Sequence, residues 1–350
     1  TTITFLDQNG DAITVLIDYR KEGSHMITLY SAVVLVNNTS LPITFYTKKK
    51  GHSKIVAGQN NIDPLVPCFF TKKIAIGMGK SKSEHFKINT IGAQTMIEIE
   101  GEPDEEGLKT KYQFIYEVQL VQSVPNELIF TRMVIVSPRF LLVNNLKQDL
   151  IIKQFKSPSK DVILKPESRE PFHWPDCMSN ELMNIKVLED HWGWSGAFSI
   201  SSVGTFTVQC RNLRDPGVFV LIKVEIKLQT STAYIVFEEE NERFCSYRIE
   251  NFSKHISMMV YQQGCKDEMR YIDVMSMTPF AFSKPLLDHE LVVEFFIGSL
   301  EDFPVQTNCK YRFSFDKINL TYRVPILMTQ ELGYVIFGIT ISESATKVLR

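Results

Sequence analysis

Apolar and polar residues alternate with a period of two along most of this chain. The clearest runs are Ile13 to Tyr19, Val33 to Val36, Tyr112 to Leu120, Val218 to Leu228 and Tyr334 to Ile341. Each is rich in β-branched or aromatic side chains and is predicted as a strand with one face buried. Between such runs lie turn clusters: Asp7-Gln8-Asn9-Gly10-Asp11, Gly101 to Gly107, and Asn212 to Gly217. Their Asn, Asp, Gly and Pro residues suit chain reversal. Sustained 3.6-residue periodicity is missing, because Pro and Gly interrupt nearly every window, and candidates such as Ser283 to Leu291 are too short for an independent helix. The pattern predicts an all-β chain.

The same pattern recurs at long range. Leu35-Val36-Asn37-Asn38-Thr39-Ser40-Leu41-Pro42-Ile43 aligns without gaps on Leu142 to Leu150 and on Arg248 to Ile256. Reading Asn38, Asn145 and Asn251 as equivalent gives spacings of 107 and 106 residues. A Pro-aromatic landmark follows each: Pro67-Cys68-Phe69-Phe70, Pro171-Phe172-His173-Trp174 and Pro279-Phe280-Ala281-Phe282. A third begins at Phe86, Phe198 and Phe313 and ends on Gly92, Gly204 and Asn319, a position expected to favour positive φ. The chain therefore divides into 1–24, the closing strands of a preceding repeat, and three repeats at 25–127, 128–232 and 233–350. Units of about 107 residues are long enough for a β-sandwich core each, so the expected architecture is a tandem array of β-sandwich repeats in a rod or hook.

Composition narrows the function. Among 350 residues, 44% are hydrophobic and 22% charged, the balance of a folded globular chain. The 38 Lys+Arg and 40 Asp+Glu leave a formal charge of -2, so no bulk field draws in nucleic acid or an anionic bilayer. No apolar run approaches the roughly 18 to 20 residues of a membrane-spanning helix. Six cysteines without a CxxC or close pair read as reduced cytosolic thiols, and the sequons at Asn37, Asn38, Asn251 and Asn319 as coincidental. The chain opens into Thr2-Ile3-Thr4-Phe5 without Met or a charged-then-apolar leader, which reads as a start inside a larger protein.

Catalytic patterns are weak. Gly77-Met78-Gly79-Lys80-Ser81 is superficially similar to a phosphate loop, but Ile74 stands where its first Gly belongs. Gly193-Trp194-Ser195-Gly196 has Ala197 where a nucleophile elbow needs Gly. The seven His form no metal-binding spacing, so neither cofactor nor metal is expected, and no enzymatic activity. The binding candidates are three sets of residues. Asn38, Asn145 and Asn251 either fix a repeated turn or offer a carboxamide to an extended peptide; three-fold recurrence favours the turn. Trp192 and Trp194, without Trp counterparts in the other repeats, are possible groove aromatics, whereas Trp174 is expected inside. Lys48, Lys49, Lys50 and Lys54 form the one basic run, a hairpin tip or a patch for lipid headgroups. The acidic runs Glu100 to Glu106 and Glu238 to Glu242 read as exposed loops.

Taken in order, the repeated Asn, the Pro-aromatic segment, Val136-Ser137-Pro138-Arg139-Phe140-Leu141-Leu142-Val143-Asn144-Asn145 and the Trp194-Ser195-Gly196-Ala197-Phe198 element resemble the adaptor-binding (VAB) domain of the vacuolar protein sorting 13 family over essentially the whole chain. The resemblance implies part of a bridge-like lipid-transfer protein acting between organelles. This module would be cytoplasmic and peripheral, and would recruit the bridge to membranes or contact sites by binding short Pro-x-Pro motifs in organelle-specific adaptors. The signature Asn roles would fall on Asn38, Asn145 and Asn251. The third unit departs from the pattern, with Glu250 for the first Asn and Asn319 for Gly. The competing expectation is a structural spacer, or a phosphoinositide or membrane-surface β module, that binds no peptide.

Overall fold

The computed structural model describes the chain apart from residues 1, 7–11, 20–24, 32, 48–52, 57–64, 69–72, 121–130, 216, 242–244, 299–304, 330–332 and 344–346. Among the described residues it is strand throughout, with one 3₁₀ turn at Lys266–Glu268 and no α-helix. The opening strands β1 (Thr2–Leu6), β2 (Ala12–Tyr19) and β3 (His25–Ser31) form an antiparallel sheet in chain order.

The first sandwich follows. It comprises β4 (Val33–Asn37), β5 (Ile43–Thr47), β6 (Ser53–Val56), β7 (Leu65–Cys68), β8 (Lys73–Met78), β9 (Ser81–Lys82), β10 (Phe86–Lys87), β11 (Gln94–Pro103), β12 (Lys109–Leu120) and β13 (Arg132–Pro138). One sheet runs β11-β12-β13-β4-β7 and the other β10-β8-β5-β6. The period-two pattern explains the layers: β13 buries Val134 and Val136, β4 buries Val33 and Leu35, and these meet Phe45, Ile74 and Ile76 of the facing sheet in one core. Gly77 and Gly79 sit in and after β8 in a hairpin to β9, not in a strand-to-helix loop.

The second sandwich comprises β14 (Phe140–Asn144), β15 (Leu150–Gln154), β16 (Val162–Leu164), β17 (Arg169–Phe172), β18 (Met183–Val187), β19 (Gly204–Arg211), β20 (Phe219–Gln229) and β21 (Thr232–Glu239). Its sheets are ordered β17-β14-β21-β20-β19 and β16-β15-β18. The third comprises β22 (Tyr247–Asn251), β23 (Ile256–Gln262), β24 (Arg270–Ile272), β25 (Ser276–Phe280), β26 (Glu290–Ile297), β27 (Val305–Ser314), β28 (Leu320–Thr329), β29 (Gly333–Glu343) and β30 (Lys347–Leu349). Its sheets, β25-β22-β30-β29-β28 and β24-β23-β26-β27, enclose a core that includes Phe280, Phe282, Phe295, Phe313 and Phe315. β23 is buried on both faces, because Met259 and Tyr261 on its outer side pack with Val292, Met269 and Phe296 in a second small cluster. Gly92 and Asn319 adopt φ of 77° and 60°, where Asn is the least costly substitute for Gly, whereas Gly204 starts a strand.

By contact the chain separates into two compact units: 1–142 with 170–179 and 228–234, and 143–169 with 180–227 and 235–350. Each holds one joint between sandwiches. In the first unit the 170–179 segment packs on β12. The Lys111 N–H donates to the Trp174 carbonyl (2.8 Å), and the His173 ring lies 5.1 Å from Tyr112 and 5.2 Å from Phe114. In the second unit Gly196 abuts the third sandwich, and a Cβ there would lie 2.1 Å from the Ser283 carbonyl oxygen.

Candidate functional site

The repeated Asn are turn-fixing residues, and the equivalent positions are Asn37, Asn144 and Asn251, each 107 residues from the next. All three are buried at the end of the first strand of a sandwich. Each Oδ1 accepts the N–H two residues on, from Thr39, Leu146 or Ser253, at 3.0 Å. Each Nδ2 donates to a carbonyl four or five residues on: Leu41 (2.7 Å), Gln148 (2.9 Å) or Ile256 (2.8 Å). In the second and third sandwiches it also reaches Leu164 (3.0 Å) and Asp273 (2.8 Å), so one carboxamide ties strand, turn and a more distant segment. Asn38 and Asn145 therefore stand one residue beyond the equivalent of Asn251. Both are exposed; Asn38 Nδ2 donates to Ser137 Oγ (3.3 Å) and Asn145 Nδ2 to Glu238 (3.0 Å). Glu238 resists charge through partial burial, but the bonds from Asn145 and Lys223 outweigh that and hold its pKa down. Adjacent Asn in two repeats hid the register; equal spacing was the signal that marks it. In that register Glu250 replaces Val36 and Val143 rather than an Asn, and it is enclosed between Arg248 and Arg350, each 2.6 Å away.

Trp174 is buried against Phe172 and Phe140. Trp192 is half-buried and donates from Nε1 to Glu189 (3.2 Å); Trp194 is 38% exposed with Lys186 Nζ 5.1 Å from its ring centre. The Trp-Ser-Gly element they flank is a joint. Ser195 Oγ accepts the Ile185 N–H (3.1 Å), and Ser195 O accepts Asn184 Nδ2 (2.8 Å), which presents Gly196 to Ser283 and Pro285. Lys48, Lys49 and Lys50 lie outside the described residues, between the paired strands β5 and β6; Lys54 is in β6, but its side chain is outside them too.

A cleft of about 380 Å³ opens between the second and third sandwiches, within the second unit. Phe219 and Leu221 of β20 line it together with Arg270 and Tyr271 of β24 and Thr278 and Pro279 of β25. Neither Trp192 nor Trp194 does. β24 and β25 each lie at one edge of the third sandwich's two sheets. Arg270 is buried in the joint behind them. Its Nη1 donates to the Pro279 carbonyl (2.8 Å) and its Nη2 to Gln209 Oε1 (2.5 Å), with the guanidinium 4.1 Å from the Phe219 ring centre. Gln209 Nε2 in turn reaches Ser283 Oγ (2.8 Å) and Glu268 (3.2 Å), and Arg211 donates to the Asp267 carbonyl. Burial lowers the Arg270 pKa to about 10, with Glu268 opposing, so it stays cationic at neutral pH. Its Nε has no hydrogen-bond partner.

Since Pro279 turns its carbonyl to Arg270 and away from β22, the two-residue alternation of a strand turns the N–H and C=O of Met277 to the same open edge. A second cleft of about 360 Å³ borders Asn251 and the exposed Phe252, but the Asn251 carboxamide is occupied by the bonds above. Among the described residues there is no cluster of three or more metal-ligating side chains, and no helix long and apolar enough to cross a membrane.

Sandwiches repeated in tandem, each opened by the same buried Asn turn, define a class of β-repeat protein with a cleft where two repeats meet. The family described as vacuolar-sorting associated protein 13, adaptor binding domain, matches residues 1–289, and the chain belongs to it. It is similar to the intermembrane lipid transfer protein vps13B of Dictyostelium discoideum, 26% identical over 271 residues, covering 73% of this chain and 4% of that protein. It is equally similar to the human intermembrane lipid transfer protein VPS13D, 26% identical over 307 residues, covering 79% of this chain and 7% of that one. The chain thus spans a small fraction of the relatives it matches.

Proposed function

We propose that this chain is a non-enzymatic recruitment module, which places a larger lipid-transfer protein at organelle membranes and contact sites, on their cytoplasmic face, by capturing Pro-x-Pro peptides of adaptor proteins between its second and third sandwiches. The observation that carries the reading is the open edge of β25 beside a cleft walled by Phe219 and Tyr271. A strand that adds to an edge needs N–H and C=O groups on one side only, at alternate residues. In Pro-x-Pro the middle residue supplies both toward the Met277 edge, while the two prolines, which lack N–H, face away and cannot extend the sheet further. Their rings fall on one face of the peptide and suit the two aromatic side chains.

With this goes a division into repeats. The closing strand of one unit runs almost directly into the opening strand of the next: β3 pairs with β2 and β4 follows it; β13 pairs with β12 and β4, and β14 follows it. Handovers between β3 and β4, at Arg139 between β13 and β14, and between β21 and β22 fit that order.

Fluorescence anisotropy of a labelled Pro-x-Pro peptide tests the reading. Micromolar binding is expected, weakened about tenfold by Tyr271→Ala and by methylating the backbone nitrogen of the middle peptide residue, but not by Phe252→Ala at the other cleft. Wild-type affinity in Tyr271→Ala at an unchanged melting temperature would move the groove elsewhere. Steeply salt-dependent binding to phosphoinositide vesicles without peptide binding would favour a membrane-surface module.

A further inference from the structure

We propose that the cleft discriminates among proline-containing peptides by charge, taking those with an Arg or Lys beside the Pro-x-Pro core; this rests on the peptide reading above. The acidic run that leaves β21 forms one wall of the cleft through Glu239 and Glu240. Glu239 is exposed, and Glu240 accepts a bond from Thr207 on its protein side. Among the described residues of the lining the one cation is Arg270, which is 7% exposed and covered by the Phe219 ring. Its charge is directed inward, to Pro279 and Gln209, whereas Glu239 is exposed and Glu240, which also accepts the Asn241 N–H (3.0 Å), is half-buried beside it. An approaching peptide therefore meets an acidic rim over an apolar floor.

Exposed charge pairs act more on selection and encounter rate than on total affinity, and an exchange of Arg for Glu at the flank is expected to change Kd by about fivefold at low salt. The test uses four labelled peptides that share one Pro-x-Pro core and carry Arg or Glu on its N-terminal or C-terminal side. At least one Arg-flanked peptide is expected to bind about fivefold more tightly than its Glu-flanked twin at about 50 mM salt, with the gap closing at about 500 mM as screening shortens to a few Å. Glu239→Lys should reverse the order, while Tyr271→Ala should weaken all four together. Equal binding of Arg and Glu peptides that remains sensitive to Tyr271→Ala overturns the charge preference and leaves the cleft reading standing. Binding of none of the four overturns both. A flank preference indifferent to Glu239→Lys places the selectivity on another surface and also overturns the proposal.

Discussion

The two joints between sandwiches are built from opposite chemistry. In the first, His173 packs against both Tyr112 and Phe114 with neither ring nitrogen hydrogen-bonded, and burial lowers its pKa to about 4. In the second, Gln209 links Arg270, Ser283 and Glu268, and Gly196 lets backbone meet backbone. An aromatic contact gains from excluding water and tolerates no charge. A polar network orients its members and fixes one geometry, because each bond has a direction. The proposed cleft lies at the polar joint, where Arg270 holds β24 and β25 against β20. Shape at that joint is what a peptide would read.

The largest effect expected from disturbing either joint is that of Gly196→Val. Its side chain would have to enter space held by Ser283 and Pro285, so a loss of more than about 3 kcal/mol is expected in urea denaturation, together with loss of peptide binding. Acid should strike the first joint instead. Because the folded-state pKa of His173 is depressed below its ordinary value of 6.5, the unfolded chain takes up the proton first, and stability falls as pH drops from 6.5 toward 4. The loss approaches about 3 kcal/mol, measured as melting temperature against pH, and His173→Phe should flatten that window. Arg270 at the second joint keeps its charge throughout that window, since its pKa is about 10.

Gln209→Ala comes next, at about 2 kcal/mol, the loss of bonds to a charged and buried group; the peptide dissociation rate should rise with it. Smallest is Asn145→Ala, expected within about 0.5 kcal/mol at this exposed site. Its neighbour Asn144→Ala should instead cost about 3 kcal/mol, since it strands buried partners at Leu146, Gln148 and Leu164. Comparable losses for the two Asn would mean that the turn is not held by the buried carboxamide.

Much of the architecture is legible without coordinates. The run Tyr112 to Leu120 lies in β12 and Val218 to Leu228 nearly coincides with β20, because a half-buried strand must alternate and nothing else in the chain imitates that period. Repetition near 107 residues marked the sandwiches for the same reason: each must close its own core. The exact Asn was not legible, since Asn37-Asn38 and Asn144-Asn145 offer two similar side chains, and only burial tells which carboxamide faces inward. The aromatic pair Trp192 and Trp194 drew attention by residue type, yet neither lines the cleft.

Local pattern in this chain sets strand positions, turn chemistry and repeat length, all of which depend on neighbours a few residues apart. The joints and the cleft depend on residues such as Gly196 and Ser283, or Phe219, Arg270 and Pro279, which are remote in sequence and ordinary in kind. Only the packing of one sandwich on the next brings a glycine under a carbonyl or a guanidinium over a ring, and distance-dependent contacts of that sort leave no periodic trace in the order of the amino acids.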